Sequence, residues 1–532
     1  MGTKNSKTLI VIAVIIFSAL SFSLALPKTS LWPFAFISLI PLYWALDRAQ
    51  SYKNVILYSI LWKGIHALLI SYWIFNATMG QFEKGFITSL FFYVVSTLIP
   101  SIILFLVITL FYQYLKKNSL FFYGFLIPSI WILIDFLYEA VPFFIPWGFI
   151  GYGTYGMENF RMVASLGGIY LISFLIIMVN GLIYFLIKQL SEDKIYLKIY
   201  NKNWSTIHNI VKKKNILITA LALFVATAVP TITGFVIKNS TVSFIQDHGN
   251  FKKVQVVQGS FGLKERWVSS NFINRMTTYL NLSKKNLQDG PELIVWPETV
   301  LNSSRQVNKD LFKHLIRNLG KDKSIIAGGV RSNKDRVSYN SAFAINGLGT
   351  VSWYDKIILL PYSENVPVVD VLGKFYDAPA SFAPGSISPV LDTQLGKAGL
   401  SICFEVLYNK HIRKSINEGA NLLVNISNDT WFGNSAMPWL HMHSAAFRAI
   451  ETRRYMIRAS NSGISAIIKP TGEITAQTKL FKRTSITGKY KTIKEMTLYS
   501  RFGNWILFLA LVILMTPLLQ YILKKDEEIV KS

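Results

Sequence analysis

One cysteine, Cys403, stands in 532 residues, which excludes an internal disulfide framework and any metal site built from several thiolates. Charge is also scarce. Charged residues make up 16% of the chain against 51% hydrophobic, too apolar a balance for an ordinary soluble enzyme. It is the acids that are missing: Asp and Glu number 29 against 55 Lys and Arg, a formal net charge of +26. No nucleic-acid-binding motif accompanies that excess, and the basic residues gather at the ends of apolar runs. The charge therefore points to anionic lipid and topology signals, and no nucleic-acid partner is expected.

What is present is a series of long apolar runs followed by a mixed segment. Spans are predicted at 8–26, 31–46, 55–75, 86–115, 120–140, 162–187, 215–238 and 504–523. The first, with its basic start and small residues at the end, has the look of a signal peptide. Further spans follow it without a soluble mature start, so it is read as a membrane helix. The chain thus divides into a seven-span membrane domain (1–238), an extra-membrane domain (239–503), and a final helix with its tail (504–532). With the N-terminus inside, the inner segments carry 16 Lys and Arg and the outer loops only three: Lys28, Lys84 and Arg161. That bias puts both termini in the cytoplasm and the 239–503 domain outside, which is the periplasm of a bacterium with two membranes. His66 and Asp135 fall inside apparent spans with no evident partner.

The extra-membrane domain alternates strand and helix patterns, which suggests a layered α/β protein. Three of its strand-like runs end in residues that make one chemical unit. The run 292–296 leads into Trp296-Pro297-Glu298, where proline stops the ladder and leaves a glutamate at the strand end. The run 353–367 places Lys356 between an aromatic pair and an apolar stretch, and a strand over 397–403 delivers Cys403 just before a helical pattern over 405–418. A lone thiol is most often a buried apolar residue, and a lysine at a strand end most often snorkels. Together, a carboxylate can act as base, the thiol as nucleophile, and the ammonium as oxyanion stabiliser.

Glu, Lys and Cys in that order resemble the catalytic set of the nitrilase (carbon–nitrogen hydrolase) superfamily. More narrowly the chain is similar to the membrane-embedded apolipoprotein N-acyltransferase family. The matching segments are WPE (296–298), YDK (354–356), LPYSENVP (360–367), ICFE (402–405), NISNDTWFG (425–433), RAIE (448–451), RASNSGISAII (458–468) and YSRFGNW (499–505). The resemblance covers nearly the whole chain. It implies an α-β-β-α sandwich beside a polytopic helical domain of about eight spans. It also implies Glu298, Lys356 and Cys403 as catalytic residues, with Glu364 and Glu405 supporting the lysine and the pocket. Around the lysine the chain departs from the family pattern at Ile357, Ile358, Ser363 and Asn365, which leaves substrate preference open.

The implied activity is transfer of a fatty acyl chain from a membrane phospholipid, through a cysteine thioester, to the α-amino group of the N-terminal S-diacylglyceryl-cysteine of an apolipoprotein. The enzyme is expected in the inner membrane, as a monomer, without cofactor. The aromatic and Gly/Pro-rich segment 139–160 reads as an interfacial belt or a substrate loop, and the match around Trp147 favours the loop. Trp431 and Phe432 read equally as core or as substrate contacts. Met437, Pro438 and Trp439 read as a mobile apolar lid that touches lipid. His441 and His443 lack a third ligand at suitable spacing, so no metal is expected. The alternatives are a membrane-anchored amidase acting on a small amide, and a transporter or lipid-binding protein with a degenerate nitrilase domain.

Overall fold

The computed structural model describes residues 2–80, 83–141, 144–199, 205–247, 249–262, 265, 271–302, 309–347, 349–361, 363–364 and 382–531. The first half is helical: α1 Gly2–Ala25, α2 Ile40–Asp47, α3 Tyr52–Ser71, α4 Trp73–Gly80, α5 Phe86–Tyr93, α6 Ile99–Leu115, α7 Ile127–Ala140, α8 Ala164–Ile199 and α9 Ser205–Asp247. Among the described residues, six helical stretches are long and apolar enough to cross a membrane. They are Ser6–Ala25, Tyr52–Ser71, Phe86–Leu115, Phe122–Ala140, Phe160–Ser191 and Lys214–Asp247.

Two of the eight expected spans fall short of that standard. The eighth is represented by a shorter apolar stretch, Trp505–Pro517. The second, expected over 31–46, is split into a 3₁₀ turn, Trp32–Phe36, and the eight-residue α2. Proline explains the split. Pro33 and Pro41 each lie at the start of a helical piece, where the missing N–H does no harm, and neither can continue a preceding helix. The groups freed at the break are met by one side chain of α8. Asn180 accepts from Leu39 N at 2.9 Å and donates to Ala35 O at 2.8 Å. Irregular backbone at membrane depth is tolerable when neighbouring protein satisfies it in this way.

Proline also shapes the third long stretch, because Pro100 cannot donate a hydrogen bond to the preceding turn. The turn before it, Val94–Leu98, opens into a π-helix, and Phe122–Leu126 does the same before Pro128. The intramembrane polar residues acquire partners. His66 Nδ1 lies 3.0 Å from Ser23 Oγ, and the buried Asp135 interacts electrostatically with Lys63 of α3.

Among the described residues the second half contains thirteen strands: β1 Lys252–Gln258, β2 Leu293–Val295, β3 Leu301–Asn302, β4 Ser324–Ser332, β5 Ser338–Ile345, β6 Val351–Asp355, β7 Val390–Thr393, β8 Gly396–Ile402, β9 Leu422–Ser427, β10 Met456–Ser460, β11 Ala466–Ile468, β12 Ile474–Gln477 and β13 Thr484–Tyr490. One sheet runs β13-β1-β2-β4-β5-β6, with β3 paired to β4, and the other runs β12-β11-β10-β9-β8-β7. Period-two alternation divides the first sheet's side chains between two cores. Val254, Val256, Leu293, Val295, Ile326 and Ala342 face the second sheet in a shared core with Leu400, Ile402, Leu423 and Val424. Their neighbours Val257, Ile294, Ile325 and Phe343 pack outward against α10 (Phe272–Lys284) and α11 (Lys309–Leu319). Helices α12 (Asn409–Asn417) and α13 (Met437–Thr452) cover the other sheet, and the result is the expected α-β-β-α sandwich.

Helix α9 continues through Asp247 without a break at 238, so the chain enters the sandwich directly from the bilayer side. The return is α14 (Leu498–Phe502) followed by α15 (Trp505–Lys531). Contacts to carboxylates fasten the two halves, one buried and one at the surface. Ile169 N donates to Glu451 Oε1 at 2.9 Å, and that oxygen also lies 3.1 Å from an Arg448 nitrogen. Lys410 N donates to Glu139 Oε1 at 3.0 Å.

Candidate active site

Three strand ends meet at the rim of the sandwich. After β2 the ladder persists for one residue, Trp296 N to Ile326 O at 2.8 Å, and Pro297 ends it. Glu298 then crosses over β4 so closely that a Cβ on Gly328 would lie 2.5 Å from the Glu298 Cα, so only glycine fits there. Lys356 follows β6, with its N–H held by Asn340 O at 2.8 Å. Cys403 follows β8 and opens a 3₁₀ turn, Cys403–Leu407, where a continuous helix from 405 is expected. Its φ of 56° lies in the left-handed region, uncommon for a residue with a side chain and often found at functional sites.

The three side chains share one buried pocket. Lys356 Nζ lies 2.6 Å from Glu364 Oε2 and 4.0 Å from Glu298 Oε1. It also sits 5.0 Å from the centre of the Phe404 ring. Burial opposes the Lys356 charge, but Glu364 and Glu298 outweigh it and hold the ammonium above its ordinary range. Burial, reinforced by Glu298 and only partly offset by Lys356, pushes the Cys403 thiol up to about 12. At rest Cys403 is therefore a neutral thiol, and any attack by its sulfur would need a base to take the proton.

Sequence reasoning missed Asn340. Its Nδ2 donates to Glu298 Oε1 and to Glu364 Oε1, both at 2.7 Å, and so ties the two carboxylates together around the lysine. Its position in an ordinary alternating strand carries no local signal. Only the pairing of β4, β5 and β6 brings it between the glutamates.

Glu405 does not touch the lysine's nitrogen. Its Oε1 accepts from Tyr354 OH at 2.7 Å, Ile357 N at 2.8 Å and Ile358 N at 2.9 Å, and its Oε2 accepts from Ile402 N at 2.8 Å. One buried carboxylate thereby pins the lysine loop to the cysteine turn. Beneath the cysteine, Asn425 Nδ2 donates to Cys403 O at 3.2 Å, and Arg458 joins Asn425 to Asp429. Burial works against the Asp429 charge, yet Arg458 and His441 hold its carboxyl well below the usual range. His441, considered at the sequence level only as a metal ligand, is committed to Asp429 at 3.2 Å.

A groove of about 870 Å³, partly open to solvent, lies between the lysine loop and the membrane helices. Leu360, Pro361 and Ser363 of the lysine loop form one wall, and Phe92, Ser96 and Ser101 of the third long helical stretch form another. Trp147, Trp431 and Phe432 line it, with Trp73 at their centre: Trp73 contacts Trp147 at 5.2 Å and Phe432 at 4.7 Å, both edge to face. Trp439 is elsewhere. It is half-buried in the first turn of α13 beside the fully buried Met437, packed on the sandwich core. The expected lid is thus the start of a core helix, because Met437, Pro438 and Leu440 all find apolar neighbours under the second sheet. Asn365, one of the expected departures, lies outside the described residues.

The "Carbon-nitrogen hydrolase" family model matches residues 253–492, and the "Apolipoprotein N-acyltransferase N-terminal domain" model matches residues 18–182. The chain is 28% identical over 509 residues to an apolipoprotein N-acyltransferase of Geobacter metallireducens, covering 92% of this chain and 91% of that one. It is 25% identical to that of Haemophilus ducreyi, covering 91% and 92%. Among solved structures, Saccharomyces cerevisiae Nit3, of the nitrilase superfamily, aligns at 19% identity with a TM-score of 0.36, covering 46% of this chain and 91% of that chain.

Proposed function

Because the chain belongs to the apolipoprotein N-acyltransferase family, within the carbon–nitrogen hydrolase superfamily, we infer that it is an acyltransferase acting on lipid and lipoprotein in the membrane. The donor is a phospholipid, and the acceptor is the α-amino group of an N-terminal S-diacylglyceryl-cysteine. The observation that carries this reading is the apolar groove. One of its walls is the loop that presents Lys356 and Glu364, and the other is membrane helix.

The geometry supports a two-step reaction. Glu298 takes the proton of the Cys403 thiol as the sulfur attacks the ester carbonyl of the phospholipid. The carbonyl oxygen becomes an oxyanion, stabilised by the Lys356 ammonium and by N–H groups of the turn that follows the cysteine. Collapse breaks the ester C–O bond. The glycerol oxygen leaves with the proton from Glu298, giving a lysophospholipid and a thioester on Cys403. The lipoprotein amine then attacks the thioester carbonyl and yields its proton to Glu298. The C–S bond breaks, the sulfur recovers that proton, and an amide is released. Sharing one thiol makes the kinetics ping-pong. Glu364 and Asn340 fix the lysine and the base, and Glu405 fixes the loop that carries the lysine.

The sandwich belongs on the periplasmic side, with both termini cytoplasmic, which fits the basic bias of the inner segments. Lys28 hydrogen-bonds Asn434 of the sandwich, whereas Lys188 and Lys116 converge on Asp47 at the far end of α2. The test is incubation with phospholipid and then with a diacylglyceryl-cysteine peptide. Acylated enzyme should appear first and acylated peptide second. Peptide acylation by a Cys403→Ala variant would overturn the reading.

A further inference from the structure

The groove has a built end. We propose that Tyr138 and Ser101 form a stop that sets the length of the acyl chain loaded onto Cys403, a specificity determinant that rests on the acyl-transfer reading above.

The lining residues are ordered along the helices. The third long stretch starts at Phe86 and contributes Phe92, Ser96 and then Ser101, so the groove follows it for roughly 14 Å. At Ser101 it is met from the opposite side by Tyr138, near the end of α7. The Tyr138 hydroxyl reaches across to Ser101 O at 3.5 Å, which places the phenol between the two helices.

Behind the phenol the chemistry changes sign. Lys63 Nζ lies 5.9 Å from the Tyr138 ring centre and 5.9 Å from that of Phe105. Asp135, one turn before Tyr138 on α7, interacts electrostatically with Lys63, and its Oδ2 is buried without a hydrogen-bond partner. An alkyl chain pushed past Tyr138 would have to desolvate this pair further, which is unfavourable in the bilayer interior. Up to Tyr138 each methylene gains apolar contact, and beyond it the gain turns to a cost. A wall of this kind discriminates by length.

The reactive end fixes which chain is measured. Leu360, Pro361 and Ser363 line the same groove and belong to the loop ending in Glu364, the partner of Lys356. An acyl chain lying in the groove would therefore pass the loop that presents Lys356, and its carbonyl end is the one we assign to Cys403.

The experiment offers the enzyme, in detergent–phospholipid micelles, an equimolar pair of phospholipids whose saturated chains differ by two methylenes. The readout is the ratio of longer to shorter acyl group on Cys403, by mass spectrometry of the intact protein. Each methylene that gains or loses its place changes preference about fourfold, so two should change the ratio roughly fifteenfold. Tyr138→Ala should shift the ratio toward the longer chain and Ser101→Leu toward the shorter, while Tyr138→Phe keeps the parent ratio. Ratios unchanged in both altered variants, a shift of both in one direction, or thioester absent from both would overturn the stop. Failure of the parent itself to form a thioester would instead overturn the acyl-transfer reading.

Discussion

Asn340 offers the sharpest test of how the pocket is held together. Its amide donates to both Glu298 and Glu364 at 2.7 Å, and its own Oδ1 is buried without a partner, so the side chain serves here as a double donor. Hydrogen bonds to charged groups contribute about 1.5–3 kcal/mol each, which puts the pair at about 3–6 kcal/mol. Asn340→Ala removes both donors and leaves two buried carboxylates short of partners beside Lys356. Asn340→Asp is almost isosteric but does more harm. It removes the same donors and adds a third negative charge, and like charges about 4 Å apart repel by roughly 4 kcal/mol at a protein-like dielectric. Acyl-enzyme formation should fall about 10²-fold in Asn340→Ala through misplacement of the base and the lysine, and further in Asn340→Asp. Thermal unfolding in detergent should rank the variants in the same order. If Asn340 merely fills space, the aspartate variant would resemble the parent. Acylation within a few-fold of the parent in Asn340→Asp would show that the two donated hydrogen bonds do not hold the pocket together.

Further expectations follow from the same geometry. With the Cys403 thiol raised to about 12, thiolate is scarce at neutral pH and grows tenfold per pH unit. Acylation by Glu298→Gln should therefore be slow and climb about tenfold per unit between about pH 7 and 9, whereas the parent should climb much less; equal slopes in a pH–rate series would remove Glu298 as base. Lys356→Ala should lower acylation about 10²–10³-fold by loss of the oxyanion stabiliser, checked by single-turnover mass spectrometry, and near-parental rates would deny it that role. Asp429 is held low by Arg458 and His441, so its contribution to stability is complete above the ordinary carboxylate range near 4 and is lost as pH falls below it. Asp429→Asn should flatten that acid limb of the melting curve; an unchanged limb would contradict the assignment. Trp439→Ala should cost about 2–3 kcal/mol of stability, as a half-buried packing residue, whereas Trp431→Ala should slow acylation with a smaller change in melting; the reverse pattern would restore the lid.

The parts of the site that were legible in the sequence are those where a local signal coincides with a strand end. Pro297 stops a ladder beside Glu298, and a helical pattern begins just after Cys403, so both announce themselves within a few residues. Asn340 has no such signal, because its function arises from strand pairing between segments that look ordinary. Asp135 is different: an acid inside an apolar run was visible, but its partner Lys63 lies two spans earlier, and no local rule joins them. Trp439 misled because turn residues and large apolar side chains read the same whether the cluster faces lipid or a core. Strand β13, TSITGKY, is weakly apolar and joins the sheet only by pairing with β1, more than two hundred residues earlier. The broken second span was signalled by Pro33 and Pro41, yet hydropathy averages over a break that Asn180 repairs from a distant helix.

The most direct test of the central claim is the mass of the intact protein after phospholipid alone and again after a chase with diacylglyceryl-cysteine peptide. A single acyl adduct should appear, map to Cys403, and be released by hydroxylamine as a thioester is. It should then disappear as the peptide gains the same acyl group on its α-amine. An adduct at another residue, or peptide acylation that proceeds while Cys403 is blocked, would contradict the account.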